Sequence, residues 1–247
     1  MIRAIAMKEL RVMFASPLAW VMLAFVQVIA ALFFLVLLNR YLLEQSQLAM
    51  MPGAGGFTER VASPVFGTLG FVLLMVVPLL TMRLVAEERR SQTLPFLMSA
   101  PVSVTQIVLG KFLAVGAFLL LATGLVLLMA LSLYLGGKLD IGLVAANALG
   151  LILLTCAFAA AGLYVSCLTA QPLIAVVGTF LLLLVLWLIN IGAEDPASIL
   201  HSLSLIRHFD SFGRGVLAVT DLAYYAIFIA LFLLLSIRRL DADRLRT

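Results

Sequence analysis

The sequence predicts an all-α integral membrane protein with six transmembrane helices, both termini in the cytoplasm, and a short cytoplasmic helix between helices two and three. Three observations carry this. Of the 247 residues, 64% are hydrophobic and only 11% charged, with a mean hydropathy of +1.21, far from the mix of a soluble domain. The apolar residues gather in six runs, each near the ~20 residues that a hydrocarbon core demands. Such runs must be helical in lipid, because each has to satisfy its own backbone hydrogen bonds. The basic residues are also unevenly shared. With the N-terminus inside, Arg3, Lys8, Arg11, Arg83, Arg89, Arg90, Lys111, Arg238, Arg239, Arg244 and Arg246 lie on the cytoplasmic side. Arg40, Arg60, Lys138, Arg207 and Arg214 lie outside, which is the bias expected of a positive interior. The net charge of +4 is therefore membrane topology, and no nucleic-acid partner is needed to explain it.

The first run, 17–38, follows a basic start. It is longer than the roughly 7–15-residue apolar region of a signal peptide and reads as an uncleaved span. Spans two to six follow at 65–82, 107–135, 143–165, 173–191 and 222–237. An external loop over 41–64 carries "PGAGG", and short turns lie at 136–140 and 166–172. The external segment 192–221 keeps Ile199, Leu203, Leu205, Ile206 and Phe209, suited to short interfacial or re-entrant helices. The whole chain, 1–247, reads as a single membrane domain. Cys156 and Cys167 share one run; as a helix this separates them by ~16 Å along the axis, too far for a disulfide.

The cytoplasmic connection 83–106 is the one extended polar interruption among the inward-facing segments. Glu87, Glu88, Arg89 and Arg90 precede Leu94, Phe96 and Leu97, whose apolar side chains can seat on a membrane surface or a partner. Pro101 ends any preceding helix. Ser103 and Gln106 fit a capping box and Val102 with Ile107 a hydrophobic staple, so the third span has a marked start. The result is a helix–break–helix elbow. A well-capped loop obeying charge topology accounts for part of this. A docking surface for a soluble partner accounts also for the paired acids and the phenylalanine.

"EERRSQTL" followed by "SAPVSVTQIVLGKF" resembles the cytoplasmic loop of ABC-2 type transporter permeases. Glu87, Glu88, Arg89, Thr93, Leu94, Leu97, Pro101, Gly110 and Lys111 match that pattern. Gln92 stands where the family usually has glycine, and Pro95 where it often has an acid. "IAMKELRVMFASPLAWV" looks like the family's amphipathic elbow helix, and "HFDSFGRGVLAVTDLAYY" like its external segment before the last span. The resemblance is closest to the gliding-motility-associated permeases. It implies the transmembrane subunit of an ATP-driven exporter or mechanotransmission complex in a bacterial inner membrane. Its expected partners are a cytoplasmic ATPase, a second permease protomer, membrane lipid, and an extracytoplasmic accessory protein where one exists. The coupling residues it implies are Glu87, Glu88, Arg89, Arg90, Thr93, Leu94, Phe96, Leu97 and Pro101, with Gly110 and Lys111 at the re-entry into span three.

No cofactor is expected on this chain; ATP and Mg²⁺ would sit on the partner. The phosphate-binding pattern G-x-x-x-x-G-K-[ST] is absent, as are H-E-x-x-H and G-x-S-x-G, so no catalytic residue is assigned. His201 and His208 with Asp210 are a thin metal set, and hydrogen-bonded loop histidines are the simpler reading. The span cores hold no ionisable residues, which argues against an ion-coupled carrier. Their polar residues are Gln27, Thr123, Ser132, Asn147, Thr155, Thr179 and Asn190. Gln27 reads as an interhelical bond sooner than as a substrate contact. The small residues Ala157, Ala159, Ala160, Ala161, Gly162 and Ser166 mark a packing face, in the protomer or between protomers. The alternative function is a non-transporting scaffold that recruits a soluble partner through 83–106. A membrane-embedded enzyme comes third, with no acid/base or nucleophile pair to support it.

Overall fold

The structure, a computed structural model, describes residues 1–48, 56–94, 102–135, 139–192 and 203–244. Among these residues the regular structure is helical, and six helices are long and apolar enough to cross a membrane. Helix α1 (Ile2–Ala15) lies ahead of the first span, α2 (Pro17–Leu48). A π-helical turn at Thr58–Ala62 leads into α3 (Ser63–Thr81). The short α4 (Ala86–Arg90) precedes α5 (Val104–Leu131), which closes with a 3₁₀ turn. Then come α6 (Ile141–Leu168), α7 (Pro172–Gly192), α8 (Leu205–Gly213) and α9 (Val219–Arg244). With six crossings, both termini lie on one side, and the basic residues assign that side to the cytoplasm.

Several helices outrun the expected spans. Helix α2 continues ten residues past 38, to Leu48, and α9 reaches Arg244 instead of 237. Hydropathy marks where lipid ends, whereas backbone hydrogen bonding carries a helix on into water. Pairs such as Arg40–Glu44, at 3.0 Å one turn apart, support the extension. Cap chemistry sets the starts. Asp140 accepts from Leu143 N–H at 3.1 Å and Ser103 from Gln106 N–H at 3.3 Å. The latter starts α5 at Val104, three residues before the expected span.

Helix α6 is the centre of the bundle and packs on α3, α5, α7, α8 and α9. Its Ala157, Ala159, Ala160 and Ala161 are at most 1% exposed. The small-residue face is therefore a packing face inside the protomer, where short side chains let backbones approach in the absence of a hydrophobic drive between helices. Gln27 on α2 donates to the Ala122 carbonyl on α5 at 3.0 Å, which makes it an interhelical tie. Outward residues of α2 such as Val21, Phe25, Val28 and Leu32 are more than half exposed.

At the external end α8 inserts Leu205, Phe209 and Phe212 into the core, an element that the residual hydrophobicity of 192–221 anticipated. His208 Nδ1 lies 2.6 Å from Asp221 Oδ1, and its ring stacks on Tyr224 with centroids 4.0 Å apart. It thus engages α9 and not Asp210; His201 lies outside the described residues. No group of three or more His, Cys, Asp or Glu side chains placed to hold a metal occurs among the described residues. Both cysteines are free thiols.

Candidate functional site at the cytoplasmic junction

The backbone break between α3 and α4 is built from sequence-distant parts. Pro78 sits inside α3 and has no N–H to donate. Three residues on, the Thr81 hydroxyl turns back to the Val77 and Pro78 carbonyls at 3.0 and 3.3 Å. The chain then turns through 82–85, leaving helix-end groups without helical partners. Ser166, near the end of α6 and 0% exposed, supplies them. Its hydroxyl accepts from Val85 N–H at 3.2 Å and Ala86 N–H at 3.1 Å, and donates to the Met82 carbonyl at 3.1 Å. One turn earlier, a Cβ on Gly162 would lie 2.2 Å from Thr81 Oγ1, so only glycine lets α6 come this close.

Helix α4 turns two charges inward. The Lys111 side chain, in α5, is 0% exposed. Its Nζ lies 2.7 Å from Glu88 Oε1 on α4 and 3.1 Å from Glu9 Oε1 on α1. A buried ammonium is tolerable only when paired and hydrogen-bonded, and here two carboxylates from two other elements do this. Glu9 also meets Lys8 Nζ at 3.3 Å. Glu88 Oε2 is buried without a hydrogen-bond partner, so one strong acceptor of the cluster is left unmatched. The neighbouring Gly110 makes the approach of α1 possible: a Cβ there would lie 2.7 Å from Ile5 Cγ2 and 3.3 Å from the Ile2 carbonyl oxygen. Gly110 and Lys111 therefore act together, one admitting α1 and the other binding it to α4. Arg89 pairs with Asp243 near the end of α9, and Arg239 approaches the same carboxylate at 3.8 Å. Lys111 thus marks the re-entry into the third span as a buried, doubly paired charge within the first turns of α5.

The end of α4 explains Gln92. Its φ of +56° lies in the left-handed region that glycine occupies at no steric cost. Gln92 N–H bonds the Arg89 carbonyl at 3.3 Å and Thr93 N–H the Glu88 carbonyl at 2.9 Å, which is a Schellman stop. The Thr93 hydroxyl adds a bond to the same Glu88 carbonyl at 3.3 Å.

Among the residues expected to couple, Glu87, Arg90 and Thr93 are exposed, with Glu87 3.7 Å from Arg83. Glu88 and Arg89 face the bundle. Leu94 is 6% exposed and belongs to the chain's own hydrophobic core. Its apolar side chain anchors the end of α4 on the bundle, where it is covered before any partner is bound. Phe96, Leu97 and Pro101 lie outside the described residues. Glu9 and Asp243 are not singled out by the sequence, in which Ser166 reads only as one of the small packing residues. Glu9 alone carried a signal, an acid in the apolar stripe formed by Ile5, Glu9 and Met13 at helical spacing.

Residues 45–238, well over half of the chain, match the family model described as ABC-2 family transporter protein. No curated protein matches the chain closely enough to count as a relative.

Proposed function

The chain belongs to the ABC-2 transporter family, and from that premise we propose that it is the permease subunit of an ATP-driven exporter or mechanotransmission complex. A separate cytoplasmic ATPase supplies the energy. The observation that carries this reading is the tying of α4 to α1, α5 and α9 through Glu88, Lys111, Glu9, Arg89 and Asp243. A slack connector would need none of these buried pairs. The face left outward by Glu87, Arg90, Ser91, Gln92 and Thr93 takes the ATPase contact, together with the segment that holds Phe96, Leu97 and Pro101. Displacement of that face pulls on three other helices at once, the kind of rigid-body repacking by which a small shift at an interface moves packed elements.

ATP and Mg²⁺ belong to the partner, since this chain has no phosphate-cradling glycine loop. A second permease protomer completes the complex, and a bacterial inner membrane with both termini cytoplasmic is the setting. The gliding-motility-associated subgroup is the resemblance we favour within the family. Gln27, the mid-span polar residue, is spent on a helix–helix bond. That sparse polar lining suits an amphipathic cargo, or mechanical work on a membrane-associated partner, better than a hydrophilic ion.

The experiment is mass spectrometry of proteins crosslinked in intact native membranes and purified with the tagged chain. An ATP-binding subunit near one copy per permease, reduced by Arg90→Glu, is the expected result. A soluble partner that binds no nucleotide would instead favour the scaffold function, and no partner at all would contradict both.

A further inference from the structure

A cleft of about 290 Å³ opens between α1, the start of α2 and the α3–α4 turn. Glu9 and Glu88 of the charge cluster and Glu87 and Ser91 of the outward face contribute to its wall. Its rim carries Lys8 and Arg83, with side chains 60% and 48% exposed, and Glu87, 55% exposed. Its floor is formed by the buried Ala19, Leu80 and Leu84 and the partly buried Met13 and Leu18. The position is interfacial. Helix α1 gives way to α2 at Ser16, and the Trp20 ring N–H donates to the Phe14 carbonyl at 2.9 Å beside it, a placement typical of tryptophan at headgroup depth. An apolar-floored, charge-rimmed cleft at that depth faces lipid and not bulk water.

We propose that this cleft is a binding site for one phospholipid of the cytoplasmic leaflet whose headgroup combines a phosphodiester with a primary amine. Lys8 and Arg83 take the phosphate oxygens, Glu87 takes the ammonium, and the glycerol and first methylenes lie on the apolar floor. Charge selects this occupant. Lys8, Arg83 and the Lys111 behind the wall balance Glu9, Glu87 and Glu88, so a zwitterion leaves the site neutral. An anionic phosphoglycerol lipid would leave one charge uncompensated near low-dielectric surroundings. A trimethylammonium head has no N–H to donate to the Glu87 carboxylate. Bound there, the lipid packs α1 against the α3–α4 turn and becomes part of the surface that moves with α4.

The test is native mass spectrometry of the full chain in mild detergent. Phosphatidylethanolamine, phosphatidylglycerol and phosphatidylcholine of matched acyl chains are titrated in competition. One phosphatidylethanolamine per chain, preferred about tenfold, is expected, since one charge-assisted hydrogen bond is worth about that factor. Glu87→Gln should remove the preference over phosphatidylcholine, and Arg83→Gln should weaken retention of all three lipids. Both side chains are exposed, and unchanged thermal melting in detergent verifies that the variants are folded. Equal retention of the three lipids, or a preference for phosphatidylglycerol, would overturn the assignment. So would phosphatidylethanolamine binding indifferent to both substitutions, which would put the lipid elsewhere.

Discussion

The two ends of the bundle are held by different forces. At the cytoplasmic end, Glu9, Glu88, Lys111, Arg89 and Asp243 join four elements by buried or half-buried charges, with partners as far as 154 residues apart. At the external end, much of the polar bonding is local to α8, α9 and the residues leading into α8. His208 meets Asp221, Tyr224 donates to the Leu203 carbonyl at 2.7 Å, and Tyr225 to the Leu205 carbonyl at 2.9 Å. Among the described residues, the longer external ties are the hydrogen bonds of Asn147 to Ser63 at 3.0 Å and of Asp140 N–H to Thr58 at 2.9 Å, with a loose Arg60–Glu44 ion pair at 4.0 Å between half-exposed side chains. Buried charge pairs are discriminating: satisfied in one arrangement and costly in most others. A bundle knit this way at one end can be driven from that end, while the other adapts locally.

Breaking the cytoplasmic cluster should have the largest effect. Lys111→Met removes the shared cation and leaves two poorly hydrated glutamates facing each other, which costs about 3 kcal/mol. Unfolding in mixed micelles measures it, and adding Glu9→Gln and Glu88→Gln to the same chain should recover part of the loss. Ser166→Ala comes next. It leaves two buried N–H groups without an acceptor and should cost about 2 kcal/mol by the same assay, with faster hydrogen exchange at Val85 and Ala86. Gln92→Gly has the opposite sign. Relieving a left-handed glutamine should stabilise the end of α4 by about 1 kcal/mol, seen as slower exchange across 88–93. His208→Gln, at the external end, should shift stability by only about 0.5 kcal/mol. Its effect on exchange should stay within α8 and the first turns of α9.

Much of the fold was legible because it is written in local chemistry. The apolar runs fixed six helices, and Ser103 with Gln106 fixed the start of the third span. Helix ends in water were not legible from hydropathy, which is why α2 and α9 run past their expected limits. The junction was half legible. Gly110 and Lys111 stood out as a pair, but the reason for the pair is Ile5 and Glu9, the latter 102 residues from Lys111, and only folding brings them together. The same holds for Ser166, which read as one more small residue and proved to be the receptor for a broken backbone. The direction in which Leu94 points depends on where α4 stops, and the departure at Gln92 hid that stop.

Joined through Lys111, α4 and α1 should move as one body. Pulsed EPR distances between labels at Arg83→Cys, in the turn that leads into α4, and Met7→Cys, with Cys156 and Cys167 replaced by alanine, test this. They are taken with the ATPase partner before and after nucleotide trapping. The expected result is an unchanged distance in the otherwise native chain, a changed distance from the Arg83→Cys label to a label at Leu217→Cys outside, and loss of the fixed α4–α1 distance in Lys111→Met. An α4–α1 distance that shifts equally with and without Lys111 would contradict it.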